Sequence, residues 1–287
     1  MDPVTVISKA RTLLHDMSID RYPVDVEAIA NHQGFQIKIS DQLTPAEAGY
    51  LVNVAGKQLI IVNGNDRPFR QRFTIMHEVA HDVLDLPSLH GSTLSQSQLD
   101  SYAKRPREEI LCDIFAAECL VPWHLIAPLT EEFPYEAATV QQLSDDFEAS
   151  QSCVASRFSQ ASRELHIFVL AENGIIRNVI PSTSARDQNF WINIGIQLPR
   201  SSAADSVLRN GNNVASVDCD GTVWSASQAA TRFACYEEAI LLGQWGQTLS
   251  LLTLEAIDPS GQLPYSSTTG DDELLPELTG ELPWPKR

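Results

Sequence analysis

The spacing of apolar positions changes several times along the chain, and each change marks an element. Residues 3–16 and 24–33 place apolar side chains at helical intervals, with Pro23 positioned to open the second helix. FQIKI (35–39) alternates as a strand does. GYLVNV (49–54) and KQLIIVN (57–63) read as two further strands, folded into a hairpin about Ala55-Gly56. From Pro68 the period turns helical: Phe73, Met76, Ala80, Val83 and Leu84 form one stripe, which Pro87 ends. A polar Ser/Gln-rich connection (88–105) leads to a second strong helical pattern from Arg107 to Leu120, closed by Pro122. Helices, a small antiparallel sheet, then two helices predict an α+β domain over residues 1–127.

Residues 128–163 read as a helical unit. Within it, TVQQLSDDFEASQSCVASRFSQAS (139–162) makes two short helical patterns joined near Ala149-Ser150, a helix-turn-helix arrangement. Residues 164–257 change character and predict a second, mixed α/β domain. LHIFVLAENGIIRNVIP is a hairpin turning at Asn173-Gly174. Further strands are expected at NFWINIGIQL, NVASVDC, TVWSA and TLSLLTLEAI, with one helix near 202–210. From residue 258 the chain is rich in Pro, Gly, Ser, Thr and acidic residues, which predicts a loosely docked acidic tail.

Charge and cysteine usage narrow the function classes. The 287-residue chain carries a formal charge of −17. Residues 1–127 hold 11 Lys+Arg against 16 Asp+Glu, and residues 128–287 hold 9 against 21. Phosphate affinity needs a basic face, so direct nucleic-acid binding is disfavoured, and the helical unit's outer face is itself acidic at Asp145, Asp146 and Glu148. A packing or partner-binding role suits that unit better. No apolar run approaches the ~20 residues that span a bilayer, so no membrane partner is expected. The N-terminal residues lack the pattern of a secretory signal. Five cysteines without a CxxC pair fit free thiols in a reducing compartment, which points to a cytoplasmic protein. Cys219 and Cys235 have no partner that the sequence assigns.

The chemistry concentrates in FTIMHEVAHDVLD (73–85), which contains HExxH at His77, Glu78 and His81. Residues four apart on a helix share a face, so both imidazoles can meet one cation while Glu78 stands beside them, placed to take a proton from water. Two such rings on an apolar helix would be costly to bury without partners. A hydrolytic zinc site needs a third protein ligand and an open fourth position. HExxHxxGxxH would require Gly at 84 and His at 87, where Leu84 and Pro87 stand. The third ligand must therefore come from elsewhere. Glu109 in EEILCDIFAAECLVPW is the first choice, with Asp113 one turn on to accept the second N–H of a ligating histidine and fix its ring. Glu108, about 100° round the helix, is the second choice; His90 and Asp100 in the connection are weaker ones. His124 and Tyr135 are the side chains to test as transition-state stabilisers. Cys112, one turn after Glu109, can bring a thiol toward the metal and make the site redox-sensitive, although a core position suits it better.

RFTIMHEVAH, a linker of 27 residues and EILCDIFAAECLVP together resemble the motifs of the ImmA/IrrE family of zinc metallopeptidases. YPVDVEAIANHQGFQIKI is similar to the family's opening, and the resemblance covers roughly residues 20–125. Cys112 departs from the family's usual Ala, and Glu118-Cys119 interrupts a more apolar run. The resemblance implies a zincin-like metallopeptidase domain with one zinc per chain on His77, His81 and Glu109, manganese being the alternative occupant, and Glu78 as catalytic acid/base. It further implies a protein substrate, a helix-turn-helix repressor of the phage-repressor type, cut at a specific site to release a stress or mobile-element regulon. The family layout places a GAF-like sensor after the helical unit, which matches residues 164–257 in order and length. Two rival readings remain at this point. One is a non-proteolytic metal-binding regulator or partner-binding protein; the other is a peptidase of broad specificity.

Overall fold

The computed structural model describes residues 1–87, 106–243 and 246–257. The Ser/Gln-rich connection with His90 and Asp100, and the tail from residue 258, lie outside the described residues.

Two capped helices begin the chain. In α1 (Pro3–Asp16), Asp2 accepts a hydrogen bond from the Thr5 amide, and in α2 (Val26–His32) Asp25 accepts one from Ala28. The first sheet contains β1 (Phe35–Ser40), β2 (Gly49–Val54) and β3 (Lys57–Asn63) in the order β1-β3-β2. The hairpin β2–β3 is antiparallel, but β1 runs parallel to β3, so the sheet is mixed rather than antiparallel. The reason is burial. β3 carries the run LIIV and is buried over Ile60–Asn63, so it takes the centre, and β1 joins its open edge in the same direction.

Helix α3 (Pro68–Val83), with Pro at its first turn, packs against this sheet and against α4 (Arg107–Leu120). All of Thr74–His81 is buried. Gly49 permits the close approach: a Cβ there would meet the Ile61 carbonyl oxygen and Thr74 Cγ2, each at 2.6 Å. Pro122 ends α4 and caps α5 (Trp123–Glu132), the two helices being bent by 64°. Helix α5, which holds Pro128 in its interior, was not among the expected helices. It also runs through the expected boundary at 127/128. The helical unit consists of α6 (Ala137–Phe147) and α7 (Gln151–Ala161), linked through Glu148 in the left-handed region (φ 50°). Among the described residues no single helix is long and apolar enough to cross a membrane.

The C-terminal sheet is wholly antiparallel. Its strands are β4 (His166–Glu172), β5 (Ile175–Pro181), β6 (Val214–Asp220), β7 (Phe233–Leu242) and β8 (Gln247–Ala256), in the order β5-β4-β8-β7-β6. This is an α+β arrangement, completed by α8 (Thr183–Asp187) and α9 (Ala203–Asn210). Two expected strands are absent. In NFWINIGIQL only Gln197 makes a bridge, to Ile175, and TVWSA falls in a 3-10 turn (Gly221–Val223) and the irregular residues after it. In their place stands β7, which the sequence hid behind two adjacent carboxylates. Glu237 points to one face and accepts from the Ala203 and Ala204 amides at the start of α9, while Glu238 points to the other and accepts from the Ala137 amide at the start of α6. Burial raises the Glu237 pKa, and those amide bonds oppose the rise.

One sheet face, with Phe168, Leu170, Ile240, Leu249 and Leu251, joins the apolar cluster of the N-terminal half. The opposite face packs Val169, Leu252 and Leu254 against α9, Phe190 and Trp224. The core therefore continues across the expected boundary at 163/164.

Candidate metal centre

Helices α3 and α4 bring four of the expected residues together. His77 Nε2 lies 3.0 Å from Glu109 Oε2 and 3.2 Å from His81 Nε2, and His81 Nε2 is 3.7 Å from Glu109 Oε1. His77 Nδ1 lies 3.0 Å from Asp113 Oδ1, so the carboxylate one turn beyond Glu109 orients the ring from behind. Glu78 is buried beside them at 1% exposure, and Glu109 at 5%. Glu108 is only half-buried. The i, i+4 spacing on α3 brings the two rings together edge to face, with centroids 5.0 Å apart, and the same spacing on α4 sends both carboxylates toward His77.

The donor set fits zinc. Ligands about 2.0–2.1 Å from a tetrahedral Zn2+ lie roughly 3.3 Å from one another, and the three approaches above bracket that value. Two imidazole nitrogens with one carboxylate suit zinc better than manganese, which favours oxygen ligands. Cys112 is also close: its Sγ and one ring nitrogen each of His77 and His81 lie within 4.8 Å of one another. Burial and the surrounding carboxylates push the Cys112 thiol well above its ordinary pKa, so it stays protonated in the metal-free protein.

The same carboxylates hold a proton on His77. Burial alone would depress its pKa, but Asp113 and Glu109 outweigh burial and raise it to about 9. Zinc must displace that proton. The expected result is release of about one proton per zinc bound below pH 9, with apparent affinity rising up to about tenfold per pH unit between 6.5 and 9. Zinc titrations at pH 6.5, 7.5 and 8.5 test this, and a flat profile would refute it. In the metal-free fold the charged pairing stabilises fully below pH 6.5 and is lost as pH rises through 9, a change of at most about 3 kcal/mol.

The two expected stabilisers are placed elsewhere. Tyr135 is buried, donates its hydroxyl to the Ala155 carbonyl at 3.1 Å and stacks on His166, with ring centroids 4.7 Å apart. Its oxygen is committed inside the core between α7 and β4. His124 places Nε2 2.8 Å from the Ile19 carbonyl, tying α5 to the α1–α2 connection. Glu118, the charged residue that interrupts the apolar run of α4, is buried and paired with Arg157 of α7 and Arg11 of α1.

A buried pair of helix-borne histidines with a carboxylate from a second helix is a donor set of the kind that metallopeptidase zinc sites use. Residues 30–159 match the family model described as the IrrE N-terminal-like domain, of peptidase family M78. That match covers less than half of the chain, and over it the chain is similar to the ImmA/IrrE family. It is 33% identical over 97 residues to the radiation response metalloprotease IrrE of Deinococcus radiodurans, covering 33% of this chain and 28% of that protein. It is 31% identical over 108 residues to the protein of the same name from Deinococcus deserti, covering 37% and 36%. The match thus spans about a third of each relative's length. The fold is similar to that of a Mycobacterium tuberculosis transcriptional regulator, with a TM-score of 0.56 and 15% identity over 86% of this chain and 74% of that one, a likeness of fold alone.

Proposed function

We propose that the chain is a zinc-dependent, site-specific endopeptidase acting on a helix-turn-helix repressor of the phage-repressor type, in the cytoplasm, to release a stress or mobile-element regulon. The carrying observation is the convergence of His77, His81 and Glu109 within 3.0–3.7 Å, with Glu78 buried beside them. His77, His81 and Glu109 would hold the metal, and Asp113 would fix the His77 ring. Bound zinc supplies Lewis acidity toward water and a carbonyl group. Glu78 takes the proton of the attacking water and returns it to the leaving amine. The exposed acidic residues Asp145 and Asp146 on α6 support a protein rather than a nucleic-acid partner for the helical unit. Residues 164–257 are read as a GAF-like sensor, a reading supported by its position after that unit.

The test is zinc content after loading and desalting, together with cleavage of a purified phage-type repressor and of unstructured casein. About one zinc per wild-type chain is expected, lost or strongly weakened in His81→Ala and Glu109→Ala, with the repressor cut and casein spared. Retention of zinc by Glu109→Ala would move the third ligand elsewhere. Cleavage of casein would favour a broad peptidase.

One observation favours a second reading, a non-proteolytic metal-dependent regulator. Cys112 lies near enough to the histidine pair to offer a fourth ligand, and closed four-ligand sites are structural. Zinc bound with no cleavage in the wild type, and cleavage gained in Cys112→Ala, would select it.

A further inference from the structure

We propose that Cys219 and Cys235 form a reversible disulfide across β6 and β7, a thiol switch in the C-terminal domain that responds to hydroperoxides. The pairing register sets the two residues directly opposite one another. The Leu241 amide donates to the Asn213 carbonyl, and counting two residues at a time down the ladder makes Cys219 and Cys235 a hydrogen-bonded pair of the same kind. Such pairs have Cα atoms about 5.5 Å apart, near the middle of the roughly 4.4–6.8 Å that a disulfide spans. Both side chains face the same side of the sheet, Cys235 inside the apolar cluster and Cys219 at its margin, and the Cys235 thiol approaches the Tyr236 carbonyl at 3.8 Å.

The pair is asymmetric in the way a peroxide-reactive pair requires. Cys219 is partly exposed on β6, an edge strand, so a small oxidant can reach it, whereas Cys235 is buried. The Cys235 thiol lowers the Cys219 pKa against the opposing effects of burial and of Glu237, Asp220 and Asp218. Cys219 is therefore the attacking sulfur and Cys235 the resolving one. Cys112, Cys119 and Cys153 are buried, and their thiols are raised by burial, so they should stay reduced.

The chemistry balances with a hydroperoxide as oxidant. The Cys219 thiolate attacks one peroxide oxygen; an S–O bond forms, the O–O bond breaks, and the departing oxygen leaves as water or alcohol after taking up the thiol proton. The Cys235 sulfur then attacks the resulting sulfenic acid. An S–S bond forms, the S–O bond breaks, and hydroxide leaves as water with the Cys235 proton. Two electrons pass from the sulfurs to the peroxide. The new bond closes the mouth of the Gly221–Arg232 segment, which carries Trp224 onto the core.

The experiment uses the reduced full chain treated with a small excess of hydrogen peroxide, alkylated and digested with trypsin without reduction. Cleavage after Arg209 and Arg232 puts Cys219 and Cys235 on separate peptides. Mass spectrometry should find those two peptides joined and two hydrogens lighter than their sum, separating again on addition of dithiothreitol. Cys219→Ser should abolish the product, and Cys235→Ala should leave Cys219 as a sulfenic acid that dimedone traps. Cys235 remaining fully alkylatable in the treated wild type overturns the proposal, whether Cys219 is then over-oxidised, joined to a second chain or unreacted. The wild-type map decides this even if the buried Cys235→Ala variant fails to fold.

Discussion

Glu78→Gln should keep wild-type zinc content and lose about 10²–10⁴-fold in cleavage rate, the span a positioned general acid/base supplies. Gln has the shape of Glu and keeps a hydrogen-bonding head, so it fits the 1%-exposed position without opening a cavity. What it lacks is a basic oxygen that can accept and return a proton. Zinc stoichiometry, the thermal midpoint and the repressor-cleavage rate, measured on one preparation, separate the two contributions. Rate loss with zinc retained assigns Glu78 to proton transfer. Loss of zinc as well would make it part of the metal-holding set, and an unchanged rate would remove it from the mechanism.

Arg157→Ala should cost about 3 kcal/mol, the low end of the range for breaking a buried pair, because Glu118 loses its buried partner and keeps only Arg11, whose side chain is 45% exposed. Glu118 is fully buried on α4, and its Oε2 forms an ion pair with Arg157 Nη2 at 2.6 Å. Its Oε1 accepts from Arg11 Nε at 3.0 Å and from the Trp123 amide at 3.1 Å, so a second cation remains after the substitution. Arg157 also donates Nε to the Val121 carbonyl at 3.0 Å, where α4 gives way to α5. Burial lowers the Arg157 pKa, and Glu118 opposes that loss. The thermal midpoint should fall by on the order of 10 °C. Arg157→Met combined with Glu118→Gln should lose less than the two single changes together, because neither charge is left stranded. A single-variant loss under about 1 kcal/mol would show that the network contributes little. Glu109 and Asp113 lie on the same helix as Glu118, so zinc affinity of the folded Arg157→Ala protein also reports how far this tie steadies the site.

Local spacing decided a large part of this protein. The i, i+4 rule placed His77 above His81 on α3 and Asp113 one turn beyond Glu109 on α4, because a helix converts sequence distance directly into direction. Helices α1, α3, α4, α6 and α7, the β2–β3 hairpin and the β4–β5 hairpin were legible for the same reason: each is governed by near neighbours, caps and turn residues. That two such helices meet so that Glu109 reaches His77, and not Glu108, was a choice the linear pattern could rank but not make.

Tertiary structure decided whatever depends on residues far apart in the chain. The parallel placement of β1 follows from which strand needed the centre of the sheet. Strand β7 escaped notice because Glu237 and Glu238 break its apolar pattern, and their purpose appears only when α9 and α6 arrive with unpaired amides on opposite faces. Tyr135 and His124 were candidates by their position after the second motif, but distant carbonyls claim both. Cys219 and Cys235 had no partner by spacing, yet the β6–β7 register puts them face to face. Side chains on a helix meet at fixed intervals, whereas partners across a sheet or between helices are set by the packing of the whole chain, which no local period encodes.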